Sequence, residues 1–311
     1  MKLCVFGAFV SLLLLGQALQ ASGQQATQPP TDKSVLIVSI DGGRPDLLLR
    51  ANTPAFRSLL ERGSYTMWAR TTAVAVTLPS HTSMVTGVEP KKHAIEWNSD
   101  VVFAQPVYPK WPTIFELAKK VGYSTAMVAG KTKLSFIDKP GTIDDVVFED
   151  RKGSTDVTVA EAAARLIEQK QPRVLFVHLP YVDGAGHSKG WGSDEQIKAI
   201  ERADAALGVL LAAVEKAGKT GSTYVILSAD HGGAGITHGP DDSRSRHIPW
   251  VIVGPGVRKN FDLTRVEPLV VDTYDTFATA CELLKIPVER KIDGKFVAQV
   301  MEAGELLGDK K

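Results

Sequence analysis

The sequence predicts an α/β fold: a mostly parallel central sheet with helices on both faces. Three observations predict it. Strand-like and helix-like stretches alternate along nearly the whole chain. The strand-like runs are apolar and rich in β-branched residues, as buried strands are. Aspartates and histidines gather where those runs end, which is where open α/β sheets build their sites.

The N-terminal residues read as targeting. Residues 1–21 carry Lys2, an apolar run from Leu3 to Leu15, then small and polar residues with an "LQA" cleavage site at Ala21. The run is short for a membrane anchor, and no cysteine follows it to mark a lipoprotein. Residues 22–33 are polar and proline-bearing, and read as a disordered lead-in. Residues 34–311 remain as one catalytic domain, secreted or periplasmic, with no membrane attachment after cleavage.

Within that domain "SVLIVSI" (34–40) is a strand that ends at Asp41. "TPAFRSLLERG" follows as a helix, with Pro54 at its first position and Gly63 closing it. "WPTIFELAKKVGY" is a second helix starting near Thr113, and "STAMVAG" is the strand after it. "TVAEAAARLIEQ" is helical and "RVLFVHL" (173–179) is a buried strand. A long amphipathic helix begins at Ser193, where Gln196 completes a capping-box pattern. The strands "TYVILS" and "PWVIV" and the helix "VDTYDTFATACELL" finish the series.

Charge and cysteine content exclude other classes. Lysine plus arginine (36) nearly balance aspartate plus glutamate (35), so no nucleic-acid-binding surface is expected. Cys4 lies in the signal, which leaves Cys281 alone and no intrachain disulfide. Metal ions could do the tying that disulfides do elsewhere.

Three strand ends carry the chemistry. "SIDGGRPD" places Asp41 just past its strand. "FVHLPYVDGAGHSKG" places Asp183 and His187 four apart across a glycine-rich loop, and "SADHGGAGITHG" contributes Asp230, His231 and His238. A lone aspartate at a strand end is ordinarily a turn former. Three in phase with histidines point instead to Zn²⁺, or to Mn²⁺ where oxygen ligands dominate. Six such ligands are too many for one tetrahedral ion and about right for two.

A nucleophile is the missing part, and Thr77 in "AVTLPSHTSMVTG" offers one. It stands where a helix begins, facing the positive end of the helix dipole and free backbone N–H groups suited to a phosphate. A plain N-cap role for Thr77 stands beside that reading.

"SIDGGRPD", "TLPSHTSMVTGVEPKKHAI", "VDGAGHSKG" and "SADHGGAGITHG" together resemble the alkaline phosphatase superfamily. The resemblance is closest to its type I phosphodiesterase/nucleotide pyrophosphatase branch, with phosphonoacetate hydrolase a near relative. It implies an alkaline phosphatase-like fold and two Zn²⁺. One ion would be held by Asp41, Thr77, Asp230 and His231, the other by Asp183, His187 and His238. It implies Thr77 as the nucleophile of a phosphothreonine intermediate, and Asn98 as a hydrogen-bond donor to the phosphoryl oxygens. Lys131 and Lys133 in "VAGKTKL" resemble the Lys-x-Lys of phosphonoacetate hydrolase and would bind substrate; solvated lysines are the plain alternative.

The chain also departs from that branch. Ser80 replaces its usual asparagine, and no aromatic slot for a nucleobase follows Asn98. Sulfatases share the scaffold but need cysteine or serine at position 77 and arginine at 81, where this chain has threonine and histidine. His247 is an alternative to His238 as a ligand, while His81, His93 and His178 read as groups that pack or orient ligands. Trp97 and Trp191 are candidates for the walls of the site, and Cys281 for a buried thiol.

The expectation is therefore an exported two-metal phosphohydrolase acting on a small phosphorylated or phosphonate substrate. Phosphate monoesterase and phosphonoacetate hydrolase are the alternatives, and an inactive phosphoryl-ligand-binding protein is the non-enzyme alternative.

Overall fold

The first strand, β1 (Ser34–Ile40), is apolar on both faces because both faces are covered. Val35 and Ile37 enter one buried apolar layer; Leu36, Val38 and Ile40 enter the other. The computed structural model describes residues 31–99 and 105–303, so the expected signal peptide and most of the lead-in lie outside the described residues. Among the described residues no helix is long and apolar enough to cross a membrane.

The remaining strands are β2 (Ser64–Arg70), β3 (Thr125–Ala129), β4 (Asp145–Phe148), β5 (Val174–Leu179), β6 (Thr223–Ser228), β7 (His247–Val253) and β8 (Phe261–Asp262). They form one eight-stranded sheet in the order β4-β3-β5-β1-β6-β7-β2-β8. From β4 to β6 every pairing is parallel; β7 runs antiparallel to both its neighbours. The mostly parallel sheet read from the sequence is thus present. The strands β2, β4 and β8 were not legible: they lie toward the sheet's edges and are only partly buried, so polar residues interrupt the apolar signal.

The helices are α1 (Pro45–Arg50), α2 (Pro54–Arg62), α3 (Thr77–Thr86), α4 (Pro90–His93), α5 (Ile114–Lys120), α6 (Asp156–Gln169), α7 (Tyr181–Lys189), α8 (Asp194–Lys216), α9 (Ser243–Arg246) and α10 (Asp275–Leu283). Phe56 of α2, Val159 of α6 and Leu207 of α8 pack on one face of the sheet. Leu78 of α3, Phe115 of α5 and Phe277 of α10 pack on the other. The start of α8 is fixed as its sequence suggests: the Ser193 hydroxyl accepts from the Gln196 N–H at 3.2 Å.

One segment differs from expectation in a way that matters. The glycine-rich stretch around Asp183 is a helix, α7, and not a loop. The side of Gly186 where a Cβ would stand is filled by the Trp191 ring, 2.7 Å from that position. Glycine is there to let the helix sit on the indole, so its helix-breaking tendency misled the sequence reading.

Candidate metal centre

Four adjacent parallel strands bring the site together. Asp41 follows β1, Lys131 follows β3, Asp183 follows β5 and Asp230 follows β6. Two glycines permit their approach. Gly42 has φ +73°, and a Cβ there would lie 2.9 Å from the Asp183 Cα. At Gly130 a Cβ would lie 2.3 Å from the Pro180 ring, just ahead of Asp183. Backbone therefore passes where side chains cannot, and Asp41, Lys131 and Asp183 share one small volume.

The hydrogen bonds assign every imidazole. His187 Nδ1 donates to the Ile236 carbonyl at 2.9 Å, His231 Nδ1 to the Gly232 carbonyl at 2.8 Å, and His238 Nδ1 to the Ala75 carbonyl at 2.9 Å. A neutral imidazole has one N–H, so each Nε2 presents a lone pair. Those lone pairs face carboxylates. His231 Nε2 lies 3.2 Å from Asp230 Oδ2 and 3.4 Å from Asp41 Oδ1. Asp183 Oδ1 lies 3.3 Å from His187 Nε2 and 3.8 Å from His238 Nε2.

With the carboxyls ionised and the imidazoles neutral, as metal binding requires, acceptors face acceptors. Among the described residues Asp41 Oδ1, Asp183 Oδ1 and Asp230 Oδ2 are buried without a hydrogen-bond partner. An uncompensated buried polar atom costs about 1–3 kcal/mol, and more when charged. Three converging on imidazole lone pairs form a donor set that could hold cations. Two groups of potential ligands result: Asp41, Asp230 and His231, and Asp183, His231 and His238. His187 stands beside the second through Asp183.

The opposite oxygens are occupied. Asp41 Oδ2 accepts from His178 Nε2 at 2.9 Å and from Lys131 Nζ at 2.7 Å. His178 takes the Gly130 N–H on its Nδ1, which leaves Nε2–H to donate to Asp41. Asp183 Oδ2 accepts from the same Lys131 ammonium at 2.6 Å, and Asp230 Oδ1 from the Gly42 N–H at 3.1 Å. Burial opposes ionisation of Asp41, but Lys131 and the His178 hydrogen bond hold its carboxyl well below the usual range. Asp230 has no such cation on it; burial and the Asp41 charge push its carboxyl well above that range. Burial draws His231 down to about 4, which keeps its Nε2 unprotonated.

Thr77 is the first residue of α3, after Val76, and no side-chain cap bond is made at that end. The plain N-cap reading is therefore set aside. Its Oγ1 stands 3.3 Å from His231 Nε2, at the helix N-terminus. Asn98 Oδ1 accepts from the Leu78 N–H at 2.9 Å, which orients its amide at the same end. Lys133 Nζ donates to the Asn98 backbone carbonyl at 3.2 Å, while both hydrogen bonds of Lys131 go to carboxylates. Ser80 is buried and takes hydroxyl contacts from Thr71 at 3.1 Å and Thr72 at 2.9 Å, so it anchors α3 rather than entering the site.

Residues 35–247 match the family model of type I phosphodiesterase / nucleotide pyrophosphatase. The chain belongs to that family. Among relatives, an uncharacterized pyrophosphatase/phosphodiesterase of Schizosaccharomyces pombe is 26% identical over 222 residues, covering 64% of this chain and 44% of the relative. Mouse ectonucleotide pyrophosphatase/phosphodiesterase family member 1 is 28% identical over 227 residues, covering 66% and 24%. The chain spans less than half the length of these two relatives.

Solved structures share the fold. Murine ectonucleotide pyrophosphatase/phosphodiesterase 5 in complex with AMP has a TM-score of 0.71 at 15% identity, covering 87% of this chain and 100% of that one. Phosphonate monoester hydrolase of Agrobacterium radiobacter has a TM-score of 0.67 at 17% identity, covering 87% and 77%.

His247 is not in this site; it stacks on Trp68 with ring centroids 3.8 Å apart. Trp191 is, donating to the Gly42 carbonyl at 3.1 Å and backing His187. Trp97 packs edge-on against Phe136 at 5.4 Å. His81 donates to the Thr77 carbonyl at 2.8 Å and takes the Ser39 hydroxyl on its other nitrogen, fixing the first turn of α3. Cys281 is a buried free thiol. What the sequence could not reveal is the carbonyl that fixes each imidazole, because Ala75, Gly232 and Ile236 meet the histidines through backbone atoms that carry no residue signature.

Proposed function

We propose that this chain is an exported, two-metal phosphohydrolase of the phosphodiesterase/nucleotide pyrophosphatase type that works through a phosphothreonine at Thr77. The observation that carries the reading is the convergence of three imidazole lone pairs and three orphaned carboxylate oxygens beside the Thr77 hydroxyl. Asp41, Thr77, Asp230 and His231 would hold one divalent ion, and Asp183, His187 and His238 the other, zinc being the best match to a mixed imidazole–carboxylate set. When bound, such ions make a hydroxyl more acidic and neutralise charge on the oxygens of an in-line displacement. A nucleotide or similar small phosphate ester is the proposed substrate class, and AMP in the murine neighbour's structure supports it. Export follows from the residue 1–21 reading.

The chain's own residues divide the work. Thr77 Oγ1 forms a bond to phosphorus as it gives up its proton to solvent, and the ester oxygen departs with the bonding pair and is protonated from solvent. Water then attacks the phosphorus of the phosphothreonine, and the Thr77 oxygen leaves and takes up a proton to restore the hydroxyl. The product released is a phosphate monoester from a diester or free phosphate from a monoester. The N-terminus of α3 and the Asn98 amide NH₂ stabilise charge building on the phosphoryl oxygens, where one such donor contributes about 3 kcal/mol. His81 fixes the Thr77 carbonyl and so the aim of the nucleophile.

The test is turnover of bis(p-nitrophenyl) phosphate, p-nitrophenyl phosphate and phosphonoacetate with zinc supplied, by wild type, Thr77→Ala and Thr77→Ser. Thr77→Ala should lose turnover while keeping its zinc, and Thr77→Ser should retain part of it. Thr77→Ala activity within about tenfold of wild type, or about 1.4 kcal/mol of barrier, would rule out covalent catalysis by this residue.

A further inference from the structure

Lys131 was expected to meet substrate as half of a Lys-x-Lys pair. Its position argues for a different task. The ammonium donates to Asp41 Oδ2 at 2.7 Å and to Asp183 Oδ2 at 2.6 Å, so two of its three N–H bonds are committed to carboxylates. Asp41 belongs to one ligand group and Asp183 to the other. In both, the oxygen facing the candidate ligand imidazoles is Oδ1, the one without a hydrogen-bond partner among the described residues, while Asp41 Oδ2 accepts from His178 Nε2 as well as from Lys131.

Each carboxylate is therefore divided between two jobs: one oxygen is pinned by the ammonium, and the other is left facing the imidazoles. The side chain is held in place from both ends. Gly130 lets β3 exit against Pro180, and the Lys131 backbone is extended at the start of a 3-10 turn, Thr132–Ile137. Lys133, two residues on, lies within that turn and reaches the Asn98 carbonyl instead.

We propose that Lys131 is a positioning residue that ties the two metal half-sites together, fixing Asp41 and Asp183 through their Oδ2 atoms so that both Oδ1 atoms stand ready for metal. This rests on the two-metal reading above. A flexible carboxylate can rotate either oxygen inward or turn away; an ammonium gripping both Oδ2 atoms removes those alternatives at the two sites at once. Groups that orient metal ligands from outside typically govern affinity by 10–100-fold. The consequence specific to a shared clamp is that both ions lose affinity together when it is removed.

The test is a titration of the chelator-treated full chain with Zn²⁺ by calorimetry and with Co²⁺ by visible absorption, whose d–d bands report ligand geometry. Wild type should bind two ions. Lys131→Met should bind both about 10–100-fold more weakly, with altered cobalt bands, while Lys133→Met should leave both isotherms unchanged. Lys131→Arg, which keeps the charge with a different donor geometry, should fall between. If Lys131→Met does not fold, Lys131→Arg decides alone: a loss of about threefold or more at both ions supports the clamp, and unchanged affinity overturns it.

Unchanged metal binding in Lys131→Met with a raised KM would assign the lysine to substrate and overturn the proposal. Tighter binding would mean that the ammonium competes with metal, and overturns it equally. A wild type that binds one ion or none removes the two-metal reading itself, and this inference with it.

Discussion

Replacing Gly42 by alanine tests whether the closeness of Asp41 and Asp183 is what makes the site. The residue has φ +73°, and its added Cβ would stand 2.9 Å from the Asp183 Cα and 3.0 Å from the Asp183 Cβ. Left-handed backbone costs an alanine about 1–2 kcal/mol, offset in part by about 0.4–1 kcal/mol from a stiffer unfolded chain. Carbon atoms pack at about 3.5–4.0 Å, so the start of α7 must also retreat by roughly 0.5–1 Å. Accommodating such overpacking costs a further 1–3 kcal/mol or so.

Gly141 supplies the control. Its φ is +80°, nothing lies within 4 Å of the position its Cβ would take, and Gly141→Ala therefore reports backbone strain alone. In urea unfolding, Gly42→Ala should lose about 1–3 kcal/mol more than Gly141→Ala. Only Gly42→Ala should weaken zinc binding in a competitive chelator assay, because it alone separates Asp41 from Asp183. Equal stability loss in the two variants, with zinc affinity intact in both, would show that the close approach is not needed.

Asp156 and Lys133 give two further predictions. Asp156 is buried at the start of α6, and burial pushes its carboxyl up to about 7. The folded chain thus holds this proton more tightly than the unfolded chain, whose aspartates titrate near 3.9. The stability it contributes is complete below about pH 4 and lost as pH rises through about 7, a span on the order of 4 kcal/mol. Asp156→Asn should therefore raise the urea midpoint at pH 8 and leave it nearly unchanged at pH 4; an equal shift at both would refute the assignment. Lys133→Ala should reduce p-nitrophenyl phosphate turnover more than that of the bis-ester, since the monoester carries about one more negative charge at neutral pH. Equal losses would make the lysine a general contact, and no loss a bystander.

The sheet and the gathering of aspartates and histidines at its strand ends were legible because both leave a mark in local sequence. A strand buried on both faces must be mostly apolar, as β1, β5 and β6 are. Aspartate and histidine at the ends of those strands have few reasons to recur in phase. Strand β2, next to the edge strand β8, was hidden, since its pairing with β7 shifts register between Thr66 and Ala69 and several of its positions are only partly buried. Helix α7 was hidden for a different reason: Gly184 and Gly186 read as loop until the Trp191 ring under Gly186 is seen. Lys131 was legible as a cation near the site, but not as a bridge. Which oxygen of which carboxylate it grips depends on β3, β5 and β1 lying side by side.

Two ions are proposed to bind this chain, one on each side of the Asp41–Asp183 approach. Anomalous diffraction at the zinc edge from zinc-grown crystals tests this most directly. Two peaks are expected, one among Asp41, Thr77, Asp230 and His231, the other among Asp183, His187 and His238. A single peak, or peaks away from these side chains, would contradict the proposal.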